Sequence, residues 1–300
     1  MSAEREGMTM TETTTDLETA DRIRPEIAAR IDKLPSLSNV VGDFLKLSTE
    51  EFVTAKDFEK VICRDQALVA RLLKTANSGK YGKSRSINSI SEAMVLIGLD
   101  NMKRIVYAVS SEGLLRQAFK VYHYPGHGFW MHSLGVATTC RTLVEAAPTR
   151  VMDPEASFVT GLIHDVGKLI IDDFLPDTIG RGKVELADEE AAAGMDHADL
   201  GAHIMASWNI PEAISGAACW HHDPDGAGDH RPGALALAMS DSICNLWGVG
   251  TDEFMNLGED VDPTQYGEAL EALGISAAGL ESILFDVRQR LVGLEELLGD

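Results

Sequence analysis

"GLIHDVGKLIIDDFLP", residues 161–176, sets His164 beside Asp165 in an otherwise apolar segment. Burying an imidazole and a carboxylate without partners is expensive, so the surrounding chain must supply something that meets them. The apolar residues here recur at helical spacing, and the flanking segments do the same. "FWMHSLGVATTCRTLVEAA" (129–147) and "PEASFVTGLIHDVGKLIIDDFL" (154–175) read as long helices, the second with the His-Asp pair in its interior. "HADLGAHIMASW" (197–208), "PEAISGAACWHH" (211–222) and "ALALAMSDSICNLWG" (234–248) read as further helices, with 180–194 a polar loop entering a helix. Nothing alternates at period two for long enough to make a strand, so the predicted fold class is all-α.

Side chains of metal-ligand type recur on these helices: His132, His164, Asp165, His197, His221, His222 and Asp241. Each alone is more simply a hydrogen-bonded, partly buried residue. Together, at helix-interior positions, they would be hard to satisfy without a cation. Imidazole with carboxylate suits Fe, Mn or Zn better than Ca or Mg. His132, His164, Asp165 and Asp241 form one expected ligand group. His197, His221 and His222 form a second, with Asp165 able to bridge two ions. Lys168 shares the face of the pair. If the site is catalytic, Asp165 and Lys168 are the residues expected to act, Lys168 on a substrate phosphate or by holding Asp165. His221 and His222 can face one point only if the helix bends at its end, where Asp223-Pro224 stands. His123, His127, His203 and His230 are read as ordinary polar residues, the first two in a "HYPGHG" loop (123–128) that could cap the site.

Upstream, "MSAEREGMTMTETTTDLETA" (1–20) has too few large apolar groups to offset ordering, and residues 1–21 are predicted to be a disordered tail. Residues 22–118 carry helical patterns. "IRPEIAARIDKL" (23–34) comes first, then Val40, Val41, Phe44 and Leu45 after the Leu34-Pro35 break. A helix from about Thr54 carries Phe58, Val61 and Ile62, and another carries Leu68, Leu72 and Leu73 with Gly79 as its stop. Ser89 and Glu92 have capping-box spacing, and a last helix runs from about Asp100 to Gln117. Residues 249–300 read as a helical extension whose Leu280, Ile283, Leu284, Val287, Leu291, Leu294 and Leu297 make an apolar stripe. Core packing is the default for that stripe, a homodimer seam the sharper alternative.

The 300 residues include 47 acidic and 26 basic side chains, a formal net charge of −21. That argues against bulk nucleic-acid binding or attraction to anionic membranes. Lys74, Lys80, Lys83 and Arg85 are the one candidate basic patch, more simply a solvated loop. Cys63, Cys140, Cys219 and Cys244 form no C-x-x-C pair and read as reduced core residues. No apolar run reaches membrane-spanning length and no signal peptide is visible, so the expected location is cytoplasmic.

The order H…HD…H…HH…D resembles the HD superfamily of metal-dependent phosphohydrolases. More closely, the chain resembles HDOD proteins, the HD-related output domains of bacterial signalling. The resemblance rests on "LPSLSNVVGDFLKL" (34–47), "ICRDQALVARLLKTANSGKYG" (62–82), "SISEAMVLIGLDNMKRIV" (89–106), "GLIHDVGKL" (161–169), "DHADLGAHIMASWNIPEAI" (196–214) and "HHDP" (221–224). It covers about Leu34 to Gly248 and implies an N-terminal helical subdomain packed on an HD-type bundle at 119–248. It further implies a regulatory protein with one or two metal ions and a signalling-protein partner or nucleotide ligand. The alternative is a phosphohydrolase acting on a nucleotide or phosphate ester. No receiver or DNA-binding module is visible, so the input is expected from a partner. The catalytic HD-GYP relatives, which cleave cyclic di-GMP, carry a Tyr-Pro loop after the paired His. Here "DPDGAGDHRPG" (223–233) lacks it. Relatives with a third metal use a Glu one turn before the first His, where this chain has Gly128. Both departures weigh against cyclic di-GMP hydrolysis.

Overall fold

A computed structural model of the chain describes residues 24–35, 39–50, 52–77, 87–176, 179, 183–251 and 255–298. The predicted tail, the Gly79 stop, and Lys80, Lys83 and Arg85 lie outside the described residues. Among the described residues the fold is all-helical, as the spacing predicts. The N-terminal helices are α1 (Pro25–Ile31), α2 (Asn39–Thr49), α3 (Ala55–Ile62), α4 (Gln66–Ala76), α5 (Ile90–Ile97) and α6 (Leu99–Leu115). The bundle follows as α7 (Gly128–Ala146), α8 (Pro154–Ile163), α9 (Lys168–Ile171), α10 (Leu186–Ala193), α11 (His197–Ser207), α12 (Glu212–Cys219) and α13 (Arg231–Leu246). The chain ends in α14 (Gly267–Leu273) and α15 (Ala277–Leu298).

Local chemistry starts these helices where they start. Asp65 Oδ1 accepts the Leu68 N–H at 2.9 Å, Ser89 Oγ that of Glu92 at 3.1 Å, and Asp153 Oδ1 that of Glu155 at 2.9 Å. Each satisfies a first-turn donor that the helix itself leaves open. Glu92 reaches back to the N–H of Asn88, one residue before the cap. The α4 helix ends at Asn77, whose side chain donates to Leu73 O.

An aromatic column ties the two halves together. Phe58 and Phe44 pack edge-on at 5.0 Å, Phe44 and Tyr107 at 5.9 Å, and Tyr107 stacks on Phe158 of α8 at 5.6 Å. Trp130 of α7 donates its indole N–H to Ala108 O of α6 at 3.2 Å. The α1 helix lies against the bundle, with Arg30 paired to Asp173 and the Arg24 guanidinium over the Phe174 ring. On α15, Leu280, Leu284, Val287 and Leu291 are buried and Ile283 and Leu294 pack against the same core. The stripe is core here, and the Leu297 side chain lies outside the described residues.

Two expectations need correction. Residues 154–175 are not one continuous helix, because α8 stops at Ile163 and α9 begins at Lys168. Between them the bonds run three residues back, Val166 N to Ile163 O and Lys168 N to Asp165 O, tightening the turn. The turn is closely packed: a Cβ on Gly167 would lie 2.1 Å from the His197 carbonyl oxygen. Of the cysteines, Cys140 and Cys244 are buried, with thiols pushed up by burial to about 12, but Cys63 is exposed and Cys219 half-buried. Cys63 follows the last residue of α3, beyond its apolar face. No helix among the described residues is long and apolar enough to cross a membrane.

The α7 and α8 helices pack closely, so that a Cβ on Gly161 would stand 2.6 Å from Ala137 Cα. Backbone cannot retreat as a flexible side chain can. Gly161→Ala should therefore lose about 1–3 kcal/mol. Urea unfolding should show a lowered midpoint with an unchanged slope.

Candidate metal centre

The centre is assembled from the tightened turn and the helices around it. His132 comes from α7, His164 and Asp165 from the turn, and His197 opens α11. His221 and His222 follow the end of α12, and Asp241 lies on α13. All the ligand-type residues read from the sequence meet here. Asp165 is the hub and is 2 % exposed. Its Oδ1 is 3.0 Å from His197 Nε2 and 3.9 Å from His221 Nε2. Its Oδ2 is 3.4 Å from His164 Nε2 and 4.0 Å from His132 Nε2. Asp241 Oδ1 stands 3.0 Å from His132 Nε2 and 3.6 Å from His164 Nε2.

Helical tightening explains Lys168. In a three-residue turn, side chains at i and i+3 eclipse. Lys168 Nζ accordingly donates to Asp165 Oδ2 at 2.6 Å, and it lies 5.6 Å from the centre of the Tyr122 ring. Of the two roles open to Lys168, the structure displays the hold on Asp165.

The paired histidines are released from helical geometry because α12 ends at Cys219 rather than at Asp223-Pro224. Their rings lie 3.9 Å apart, and His222 Nε2 reaches His197 Nε2 at 2.9 Å. His222 is exposed as a residue, yet this ring nitrogen faces inward. Candidate ligand atoms fall within 4.8 Å of one another in three sets: His132, His164 and Asp241; His164, Asp165 and His221; His197, His221 and His222.

Protonation follows from this crowding. Burial alone would raise the Asp165 carboxyl, but His164, Lys168 and His197 outweigh it and hold it well below the usual range. Burial likewise opposes Asp241, and His132 and His164 hold it low. His164 is pushed down by burial but lifted above its ordinary value by Asp165 and Asp241. Burial and then Lys168 push His197 down, while Asp165 and Glu189 lift it to a net rise. His221 is driven well down by burial and by His222, His164 and His197. His222 is pushed down to about 4, by loss of water around the ring and then by His197.

Sequence reasoning missed several residues of the centre. Glu189, 1 % exposed on α10, accepts from His197 Nδ1 at 2.8 Å and from the Tyr122 hydroxyl at 2.8 Å. It lay in a stretch read as a loop entering a helix, where an Ala- and Glu-rich run looks solvated. Tyr124 stands 5.9 Å from the His132 ring, the position the "HYPGHG" reading gave to a capping histidine. His123 is exposed, and His230 faces Glu212 at 3.6 Å. Gly128 has no space for any side chain, since a Cβ there would lie 2.1 Å from the Gly250 carbonyl oxygen. Only a folded structure reveals that contact.

The HDOD domain profile matches residues 34–224. A curated relative, an uncharacterized protein of Treponema pallidum (strain Nichols), is 24% identical over 243 residues, 73% of this chain. The match covers 44% of that relative, so the chain spans less than half its length. Among solved structures, an HDOD domain protein of unknown function from Geobacter sulfurreducens superposes with a TM-score of 0.68 at 23% identity, covering 95% of this chain and 100% of the other. A protein of Marinobacter aquaeolei VT8, described as a candidate signal transduction protein, gives 0.66 at 16% identity over 93% and 62%. A candidate phosphohydrolase of Shewanella amazonensis SB2B gives 0.61 at 20% identity over 91% and 95%. At these identities the structural likeness speaks for the fold.

Removing the Asp165 charge should release the imidazoles it lifts. In metal-free Asp165→Asn, His164 and His197 should both titrate at lower pH than in the wild type, as read from imidazole NMR shifts against pH. Unchanged titration would contradict the role of Asp165 as hub.

Proposed function

The chain belongs to the HDOD family, and from that premise we propose a regulatory protein whose bundle holds one or two divalent transition-metal ions. It acts by binding a signalling protein or a nucleotide. The observation that carries the metal reading is a set of buried atoms without hydrogen-bond partners: His164 Nε2, Asp165 Oδ1 and His221 Nε2. Leaving one such atom unmet costs about 1–3 kcal/mol. Cations held between them would satisfy all three. The donor set of imidazole and carboxylate fits Fe, Mn or Zn. His132, His164, Asp165 and Asp241 would hold one ion. His197, His221 and His222 would hold the other, with Asp165 between the groups. Such ions, when bound, polarise phosphoryl oxygens and lower the pKa of water.

The preference for regulation over turnover rests on the surroundings. Lys168 is committed to Asp165. The Gly128 position, where a further metal-binding carboxylate would sit, is filled by the backbone at Gly250. After His222 the chain turns back on α12, where a Cβ on Gly216 would meet the His230 ring at 2.4 Å. The second reading is a metal-dependent phosphohydrolase of a nucleotide or phosphate ester. It is favoured by the two ligand groups flanking one carboxylate, with Asp165 as the bridging ligand and Lys168 as its holder. The fold is compatible with both. A homodimer seam on α15 would use its outer face, where Phe285 and Val292 are 60% and 41% exposed. The net charge of −21 keeps bulk nucleic acid off the list of partners.

Protein stripped and reloaded with Mn or Fe should hold metal by elemental analysis, and Asp165→Ala should hold much less. Equal content in the two would refute the metal assignment. The loaded wild type should convert cyclic di-GMP no faster than the Asp165→Ala blank. In a nucleotide screen, turnover of about 1 s⁻¹ or more, modest for an enzyme, would favour the phosphohydrolase reading instead.

A further inference from the structure

We infer that Glu189 is a positioning residue of the metal centre, a buried carboxylate that fixes the tautomer and direction of His197. The inference rests on the metal reading above and adds a residue outside the ligand set. Glu189 Oε2 accepts the backbone N–H of His197 at 2.7 Å. The His197 ring Nδ1 lies 2.8 Å from Oε2 and 3.0 Å from Oε1. An ionised carboxylate only accepts, so Nδ1 must carry the proton. Nε2 faces a second carboxylate, Asp165 Oδ1 at 3.0 Å, and His222 Nε2 at 2.9 Å, so the proton there in metal-free protein is the one a cation would replace.

Two other ring orientations in the centre are set differently. Nδ1 of His164 meets the Gly161 carbonyl at 2.8 Å, and Nδ1 of His221 meets the Ala218 carbonyl at 2.6 Å. Those are neutral dipoles of the same chain segment. Behind His197 stands a full negative charge from another helix, which makes Nε2 a stronger electron donor.

Glu189 is itself held from behind. The Tyr122 hydroxyl donates to Oε1 at 2.8 Å. The segment carrying Tyr122 is clamped by Asp172, whose carboxylate accepts the N–H groups of Lys120 at 2.7 Å, Val121 at 2.8 Å and Tyr122 at 3.3 Å. The line Asp172, Tyr122, Glu189, His197 thus runs from the end of α9 to the ligand cluster. A staple for the corner between α10 and α11 would not need it, because Asp196 already caps α11 by accepting from Asp199 N at 2.9 Å.

The test compares full-length wild type, Glu189→Gln and Tyr122→Phe. Metal-free protein is titrated with Co(II), following the visible bands and the bound stoichiometry. Glu189→Gln keeps size and one acceptor, so the metal-free variant should melt with the metal-free wild type. Its Co(II) affinity at the His197 group should fall about 10–100-fold, with the His132 and Asp241 group unchanged. Tyr122→Phe leaves the carboxylate in place and should fall in the same direction by less. If Glu189→Gln does not fold, this second variant carries the comparison. Wild-type affinity in the variants overturns the inference while leaving the metal reading intact. So does a His197 ring in metal-free wild type whose Nδ1 carries no proton, read from imidazole 15N shifts. Wild-type protein that takes up no Co(II), Mn or Fe overturns the metal reading and this inference with it.

Discussion

A carboxylate that is almost wholly buried is the constraint from which the architecture of the bundle follows. Asp165 is held ionised by Lys168 and two imidazoles, all within 3.4 Å. Removing one partner of a buried charge typically costs about 3–5 kcal/mol because the other is left uncompensated. Elements far apart in sequence must therefore be brought to one point and kept there. The turn tightens so that Lys168 eclipses Asp165, and Gly167 lets the turn press against the start of α11. Gly161 lets α8 sink onto α7. Each small residue permits an approach that the charge cluster requires.

The N-terminal half is coupled to this cluster through the same two helices that build it. Phe158 of α8 is six residues before His164 and stacks on Tyr107 of the N-terminal module. Deeper in the same seam, Arg141 of α7 pairs with Glu155 of α8 at 2.8 Å, and Lys103 of α6 approaches Glu155 at 3.7 Å. Arg290 of α15 joins from the C-terminal side, pairing with Glu145 at 2.8 Å. The ion network and the aromatic column fix three parts of the chain against α7 and α8, beside His132 and the turn that carries Asp165. Closely packed interfaces have few alternative arrangements, so a shift of α7 against α8 would be felt in all three.

Much of this was legible in the sequence, for identifiable reasons. Helical spacing of apolar residues is a strong local signal, and it marked the helices from Val40 to Leu291. The ligand-type residues stood out because imidazoles and carboxylates are conspicuous in apolar surroundings. What stayed hidden depends on contacts between distant segments. The break at His164 has no Pro to announce it and sits where Gly167 approaches His197. Glu189 sits among Ala and Glu residues that look solvated, and only the reversal of the chain before α11 turns it inward. Gly128 could be read as a missing carboxylate, but the carbonyl of Gly250 that fills its place could not.

These hidden contacts bear on how a site rich in ligands can serve regulation. Catalysis on a phosphate ester needs the ester fixed beside the activated water, with cationic groups free to receive the developing charge. In this bundle the cation best placed for that work, Lys168, spends its ammonium on Asp165 and its outer side on the Tyr122 ring. Tyr122 in turn is tied to Glu189, and Glu189 to His197. Several polar groups around Asp165 are thus tied to one another, while His164 Nε2, Asp165 Oδ1 and His221 Nε2 are left for a cation. Such a set holds its geometry firmly, and a change in the ions or groups at its open edge, near Asp241 and His222, would pass directly into α13 and the end of α12. Rigidity of this kind is what the proposed regulatory reading needs, a centre whose occupancy a partner would read.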